Sequence, residues 1–234
     1  IYGVQFSFLF DGRFGGDVLN VTGRNLISSG NHNILEKYRG RQVVWDGVVK
    51  TGEDANGNPI YEKNTTPIVL DPVGAGATSQ RTKAAWEIID LCHPTIIRGN
   101  GSEIMALVDA NVKSKGVDSS ASSDDALSAA KKLAAETGAV VVISGETDYI
   151  TNGTDVFTVE GGNPIMTSVT GMGCTATALV GAFAAVESDP MVAATAAMAV
   201  MSLAGERAAV NARGNGSMQM HFLDELYNLT PETL

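Results

Sequence analysis

Short apolar runs alternate with helical segments from residue 67 onwards, and this alternation constrains the fold more than any other feature. The runs are rich in Val and Ile, as buried strands are, and the segments between them carry apolar residues at helical spacing. In chain order, strands and helices are predicted at 67–71, 79–92, 94–100, 122–138, 139–145, 174–187 and 191–212. Since strands joined by helices pair in parallel, we expect an α/β fold, a parallel sheet with flanking helices.

The composition changes abruptly near residue 66. Residues 1–66 contain one alanine, Ala55, and as many basic as acidic residues, whereas residues 67–234 contain 27 alanines and the whole net charge of −10. The aromatic alternation that opens the chain is typical of a two-faced strand, and 51–66 has the composition of a loop, with Asn-Gly and Asn-Pro pairs. A short helix is possible near 20–28. We therefore predict two domains, a β/loop segment at 1–66 and an α/β domain at 67–234.

The overall charge and the cysteines exclude several classes of function. A net charge of −10 and a pI near 4.7 argue against a surface for nucleic acid or an anionic membrane. The two cysteines, Cys92 and Cys174, form no disulfide framework or metal cluster, which favours a reducing, cytoplasmic compartment. The first residues lack the basic-then-apolar pattern of a signal peptide, and no apolar run is long enough to cross a bilayer.

Glycines with polar or charged residues follow each of four predicted strands. They lie at 71–78, 98–103 and 144–148, and in the Gly-Met-Gly-Cys turn after a strand expected at 166–169. Ligands of open parallel sheets bind beyond the carboxyl ends of the strands, so we expect these segments to converge. An arginine for phosphates and carboxylates for Mg²⁺ suit phosphoryl transfer from a nucleoside triphosphate. Neither a Walker A motif nor a GxGxxG motif is present.

Each of these residues also has a purely structural interpretation. Asp71 before Pro72 could end a strand, Arg98 could pair with a helix carboxylate, and Glu103 could lie on a solvated helix face. That all four strand ends share the same character favours function.

The stretch VTGMGCTATALVGAFAAV at 169–186 places two glycines just before an apolar helix. Glycines let a ligand approach the backbone closely, and the first amides of a helix attract an anion. Cys174 would lie at this helix start, where the pKa of a thiol falls from about 8.5 to roughly 3.5–7.5. The alternative is a tight turn into a buried helix, with Cys174 as a small core residue.

Five motifs together resemble one known family. In order they are DPVGAGAT, PTIIRGNGSEIMAL, VVVISGETDYITNG, SVTGMGCTATALVGAFAAV and GNGSMQMHFLDELYNL. Over about 67–229 the chain resembles the hydroxyethylthiazole kinase family, which is ribokinase-like. The resemblance implies Mg²⁺-dependent transfer of the ATP γ-phosphate to the alcohol 4-methyl-5-(2-hydroxyethyl)thiazole in thiamine salvage. It also implies a homotrimer with active sites at the subunit interfaces.

The resemblance assigns a role to eight residues. Cys174 matches the catalytic position, which takes the proton of the substrate hydroxyl, and Gly171 matches the glycine that contacts the thiazole. The ATP-binding positions fall on Arg98, Ser144 and Gly173, where Ser144 replaces a threonine of the family. The Mg²⁺ positions fall on Asp71, Asn100 and Glu103.

Residues 1–66 depart from this pattern. Family members begin with a thiazole-binding segment that contains an HCITN-like run and a substrate-contacting methionine, and neither is present here. Instead, the segment resembles the barrel of outer-membrane TonB-dependent receptors of the SusC type. We therefore interpret the chain as a possible chimera with an N-terminally incomplete kinase domain, and expect weak or absent thiazole kinase activity. The alternatives are a lineage-specific N-terminus, a non-catalytic nucleotide-binding remnant and a fragment of an outer-membrane transporter.

Overall fold

The computed structural model describes residues 48–57, 59–63, 67–109 and 123–230. The chain divides into two compact units, Ile1–Thr66 and Pro67–Leu234. The strand predicted at the start of the chain and the possible helix near 20–28 lie outside the described residues. The two units are described separately.

The described part of the first unit is an antiparallel hairpin. Strand β1 (Val48–Glu53) pairs with β2 (Pro59–Lys63). In the turn between them, Gly57 adopts a φ of 80° and its N–H donates to the carbonyl of Asp54 at 2.9 Å. The prediction of a loop over 51–66 is therefore wrong for the residues at 51–53 and 59–63, because the Asn-Gly pair supplies the positive φ that a tight hairpin turn needs.

A five-stranded mixed sheet forms the centre of the second unit. Its strands, in spatial and chain order, are β3 (Val69–Leu70), β4 (Ile96–Asn100), β5 (Val140–Ser144), β6 (Thr147–Thr151) and β7 (Val156–Glu160). The first three are parallel, as expected, whereas β6 and β7 run antiparallel. The reason is the length of the connections: two residues separate β5 from β6, too few for the crossover that a parallel neighbour requires.

Six α-helices are found in the described residues. They are α1 (Ser79–Cys92), α2 (Gly101–Val108), α3 (Ser123–Thr137), α4 (Met172–Ala184), α5 (Pro190–Asn211) and α6 (Asn215–Asn228). This confirms the helices predicted at 79–92, 122–138, 174–187 and 191–212, with ends displaced by at most three residues. Helices α2 and α6 and strands β6 and β7 lie where no element was predicted.

Helices cover both faces of the sheet, which confirms the α/β architecture. Consecutive residues of a strand point to opposite faces. Thus Ile96 of β4 packs in the cluster with α4, α5 and α6, whereas Ile97 packs in the cluster with α1, α2 and α3. Both side chains are completely buried, and each such burial contributes about 1.5–3 kcal/mol.

The segment before α4 is helical, so the strand predicted at 166–169 is wrong. Residues Pro164–Ser168 form a short 3₁₀ helix, whose start is capped by Asn163, and Pro164 suits a first helical position. The Met166 side chain lies directly over Gly205 of α5, where a Cβ atom would collide with its sulfur. This contact holds the 3₁₀ helix, and with it the approach to α4, against α5.

Among the described residues, no helix combines the length and the apolar character that crossing a membrane demands.

Candidate functional site

The guanidinium of Arg98 contacts three of the other predicted site residues. Arg98 lies in β4 and is only 8% exposed. Its Nη1 donates to the carbonyl of Gly173 at 3.1 Å and lies 3.6 Å from Oδ2 of Asp71, while its Nη2 donates to Oγ of Ser144. Asp71 directly follows β3, Ser144 is the last residue of β5, and Gly173 lies in the first turn of α4. The predicted convergence of the strand-end segments is thus found around one side chain.

The start of α4 approaches Arg98 closely because Gly173 has no side chain. Gly171 precedes the helix with a φ of 89°, and no side chain caps the first turn. A Cβ atom on Gly173 would lie 3.0 Å from Nη1 of Arg98, whereas one on Gly171 would meet nothing within 4 Å. Gly173 therefore provides close packing against the arginine, and Gly171 provides a positive φ beside open space, which a ligand can enter.

Asp71 is buried and is held through one oxygen. Its Oδ2 accepts a hydrogen bond of 2.7 Å from Oγ1 of Thr177 and faces Arg98. Burial raises the pKa of Asp71, and the nearby charge of Glu103 adds to this, although Arg98 and Thr177 act in the opposite direction. None of the hydrogen bonds found within the described residues reaches Oδ1, so this oxygen keeps its lone pairs for a ligand.

Asn100 and Glu103 have local structural partners. Asn100 caps α2 by accepting from the N–H of Glu103 at 2.9 Å, and Oε2 of Glu103 accepts from the N–H of Asn100 at 3.0 Å. This reciprocal pair is a capping box. Oε1 of Glu103 accepts from the N–H of Gly74 at 2.8 Å and so ties the 71–78 loop to α2. Within the part of the chain that the structure describes, no three His, Cys, Asp or Glu side chains form a ready metal cluster.

Cys174 lies in the first turn of α4, as predicted, but its acidity is the reverse of the prediction. Burial raises the pKa of the thiol, and the negative charge of Asp71 raises it further, although Arg98 acts in the opposite direction. The expected net lowering of the pKa is therefore wrong, because burial and Asp71 outweigh the backbone hydrogen bond that acts in the opposite direction. The position on the helix was readable from sequence, whereas the carboxylate beside it belongs to a strand end about a hundred residues away.

Sequence reasoning missed two residues of the site. Thr177 lies one helical turn after Gly173, but nothing in the pattern distinguishes it from other threonines of α4. Asp148 is a 7% exposed carboxylate in β6, where Oδ1 accepts the N–H of Gly145 at 2.9 Å. Asp148 and the buried Ile150 are two residues apart in β6, so their side chains point to the same face of the sheet. This pattern can be read from the sequence only after β6 has been predicted as a strand.

The acidity of Asp148 is also shifted. Burial is the main cause and outweighs both the hydrogen bond from Gly145 and the positive charge of Arg98, so the pKa of Asp148 rises to about 6. The site thus holds one buried cation and two carboxylates, Asp71 and Asp148, whose ionisation is resisted by burial.

The amino-acid sequence of this chain is similar to those of one known family. A model described as the hydroxyethylthiazole kinase family matches residues 53–232, beginning 14 residues before the predicted domain boundary. A protein of Leptospira biflexa named hydroxyethylthiazole kinase is 52% identical over 168 residues, which are 72% of this chain and 63% of the relative. A namesake from Vibrio atlanticus is 54% identical over 171 residues, 73% of this chain and 64% of that relative.

A solved structure is similar as well. The hydroxyethylthiazole kinase protein of Pyrococcus horikoshii OT3 superposes with a TM-score of 0.63 at 35% identity, over 71% of this chain and 61% of that one. The chain thus spans somewhat less than two thirds of the length of these relatives. The matches support neither the transporter fragment nor the non-catalytic remnant.

Replacing Gly173 by alanine tests the close packing at Arg98. The new methyl group would force the buried guanidinium away from the Gly173 carbonyl and from Asp71, so we expect a loss of about 1–3 kcal/mol of stability. Thermal unfolding measures it. Gly181→Ala in the same helix is the control, because its Cβ would lie 3.9 Å from Val69, an ordinary contact. Equal melting temperatures for the two variants would contradict the packing argument.

Replacing Asp148 by asparagine tests the raised pKa. The carboxyl keeps its proton up to about pH 6 in the folded protein but loses it near about pH 4 when unfolded. The folded state therefore binds more protons in this window, and wild-type stability falls as the pH rises through it and levels off above. Asparagine still accepts from Gly145 but cannot ionise.

We expect the unfolding free energy of Asp148→Asn, relative to wild type, to increase by on the order of 2 kcal/mol between pH 4 and pH 7. Urea denaturation at both pH values measures it. A difference that does not change with pH would show that Asp148 has an ordinary pKa.

Proposed function

The chain belongs to the hydroxyethylthiazole kinase family, and on that premise we propose that it transfers the γ-phosphoryl group of ATP to the hydroxyl of 4-methyl-5-(2-hydroxyethyl)thiazole, a step of thiamine salvage. The observation that carries the proposal is the meeting of Asp71, Ser144 and Gly173 around the Arg98 guanidinium. This places a fixed positive charge beside an uncapped helix start, the arrangement that a polyphosphate requires.

In the proposed reaction, the substrate hydroxyl oxygen forms a bond to the γ-phosphorus. The bond between the γ-phosphorus and the bridging oxygen breaks, ADP leaves, and the hydroxyl proton passes to the thiolate of Cys174. In a loose transition state, stabilisation of the phosphoryl charge matters more than the strength of the base. We assign that stabilisation to Arg98 and to the free amides at the start of α4, and the thiazole contact to Gly171.

The oxygen donors of the site suit Mg²⁺. Mg²⁺ usually takes one or two carboxylates together with waters and substrate phosphates. Asp71 would hold the ion through Oδ1, because Oδ2 is already engaged by Thr177 and Arg98. Glu103 and Asn100 would act through water, since both are bonded to backbone groups. When bound, the ion neutralises negative charge on the phosphates.

The raised pKa of Cys174 makes the proposed reaction depend on pH. Because the thiol ionises above its usual range, kcat should rise with pH between 7 and 9, by close to tenfold per unit if the thiolate is required. Cys174→Asp, which is ionised throughout, should show no such rise, and Cys174→Ala should lose about 10²-fold or more. A coupled assay of ADP release measures these rates. A flat profile in the wild type would exclude the thiolate as base.

The assay also tests the function itself. Purified chain should release ADP only when both ATP and the thiazole alcohol are present, with the Leptospira biflexa relative as a side-by-side control. Because residues 1–66 lack the HCITN-like run of the family, we expect this chain to release ADP much more slowly than the relative. Release that does not depend on the thiazole alcohol would exclude the proposed substrate.

We also propose that the chain forms a homotrimer in the cytoplasm. Three apolar side chains on one face of α6, Met220, Leu223 and Tyr227, are more than half exposed and provide an apolar surface for assembly. The unpaired cysteines Cys92 and Cys174 are compatible with a reducing compartment.

The assembly is tested by sedimentation equilibrium. We expect a mass of three chains for the wild type and of one chain for the double variant Leu223→Glu, Tyr227→Lys, because burying two new charges at an interface is costly. Val186→Glu, at an exposed position after α4, is the control and should stay trimeric. A wild-type mass of one chain would exclude the trimer.

A further inference from the structure

Thr177 is a buried polar residue to which neither the motifs nor the proposed reaction assigns a role. It lies in the second turn of α4 and is 5% exposed. Its Oγ1 is 2.7 Å from Oδ2 of Asp71 and 3.2 Å from the carbonyl oxygen of Gly173. The hydroxyl therefore joins the helix that begins at the site to the residue that follows β3.

The single proton of this hydroxyl goes to Asp71. A threonine inside a helix commonly donates to the carbonyl four residues earlier, which here is that of Gly173. That carbonyl already accepts from Nη1 of Arg98 at 3.1 Å. The shorter contact, to a carboxylate, is of the charge-assisted kind and is the stronger of the two.

Four polar atoms thus lie around a ring of close contacts, in which the contact between Thr177 and the Gly173 carbonyl carries no proton. Starting from Nη1 of Arg98, it runs to the Gly173 carbonyl at 3.1 Å, to Oγ1 of Thr177 at 3.2 Å, to Oδ2 of Asp71 at 2.7 Å and back to Nη1 at 3.6 Å. Without the hydroxyl, Oδ2 would keep only the longest of these contacts. The carboxylate could then turn, and Arg98 would lose a fixed counter-charge.

We propose that Thr177 is a positioning residue. Its hydroxyl orients the Asp71 carboxylate so that Oδ1 faces the phosphate site and Arg98 stays against the start of α4. The kinetic part of this proposal rests on the proposed phosphotransfer, whereas the structural part does not. If Thr177 only filled space in the core, valine, which has the same shape, would replace it without effect.

Three variants separate these possibilities. Thr177→Val removes the hydroxyl and keeps the shape, and Thr177→Ser keeps the hydroxyl and removes the methyl group. Thr195→Val is the control, because within the described part of the chain the Thr195 hydroxyl donates to a carbonyl of its own helix, that of Met191 at 2.7 Å.

We expect Thr177→Val to lower kcat about tenfold with less than about a threefold change in KM for the alcohol, and Thr177→Ser to stay within about twofold of wild type. In an Asp71→Ala background, Thr177→Val should have little further effect, since the two residues act as a unit. Thr195→Val should leave both constants unchanged. A tenfold loss in Thr177→Ser as well, or unchanged kcat in Thr177→Val, would overturn the proposal.

Amide hydrogen exchange gives a readout that does not depend on turnover. Thr177→Val should speed exchange in the first turn of α4 and in the 71–78 loop but not in α5, and Thr177→Ser should not. If wild type shows no turnover and exchange changes in this way, the proposed function is wrong and the positioning role stands. If turnover is present and exchange at both segments is unchanged, the positioning role is wrong.

Discussion

The second unit depends on a positive charge that is buried at the carboxyl ends of its strands. Removing a guanidinium from water costs several kcal/mol unless it is paired and hydrogen-bonded. For Arg98 this cost is offset by the ion pair with Asp71 and by hydrogen bonds to Ser144 and Gly173. These three residues lie in three other parts of the unit. The ends of β3 and β5 and the start of α4 must therefore meet for the two terminal nitrogens of Arg98 to find partners. The same contacts that stabilise the fold build the proposed phosphate site.

This arrangement favours charge stabilisation over strong base catalysis. The carboxylate of Asp71 and the burial of the thiol both raise the pKa of Cys174. Such a site suits the proposed phosphoryl transfer, because its loose transition state depends more on charge stabilisation than on the strength of the base. The charge of Arg98 and the uncapped amides of α4 are in place before any substrate arrives, so they need no reorganisation during the reaction.

The sequence predicted those parts of the fold that repeat a pattern over many residues. The helices at 79–92 and 191–212 and the three parallel strands follow from apolar spacing, and the convergence of the site follows from the rule for strand ends. The hairpin around Gly57 and the 3₁₀ helix after Asn163 were not predicted. Each depends on the backbone conformation or capping of one or two residues, which leaves no repeating pattern in the sequence. The acidity of Cys174 and the role of Thr177 depend on neighbours from distant strands, which spacing alone does not reveal.

The close approach of Gly173 to Arg98 makes the side chains allowed at the two positions interdependent. Any side chain at 173 would enter the space that the guanidinium occupies, and any shorter residue at 98 would leave the Gly173 carbonyl and Asp71 without their cation. A single substitution at either position is therefore costly, and a smaller residue at 98 would not compensate for a larger one at 173, because the cation would be lost. The residues tolerated at these two positions depend on each other, although 74 positions of sequence lie between them.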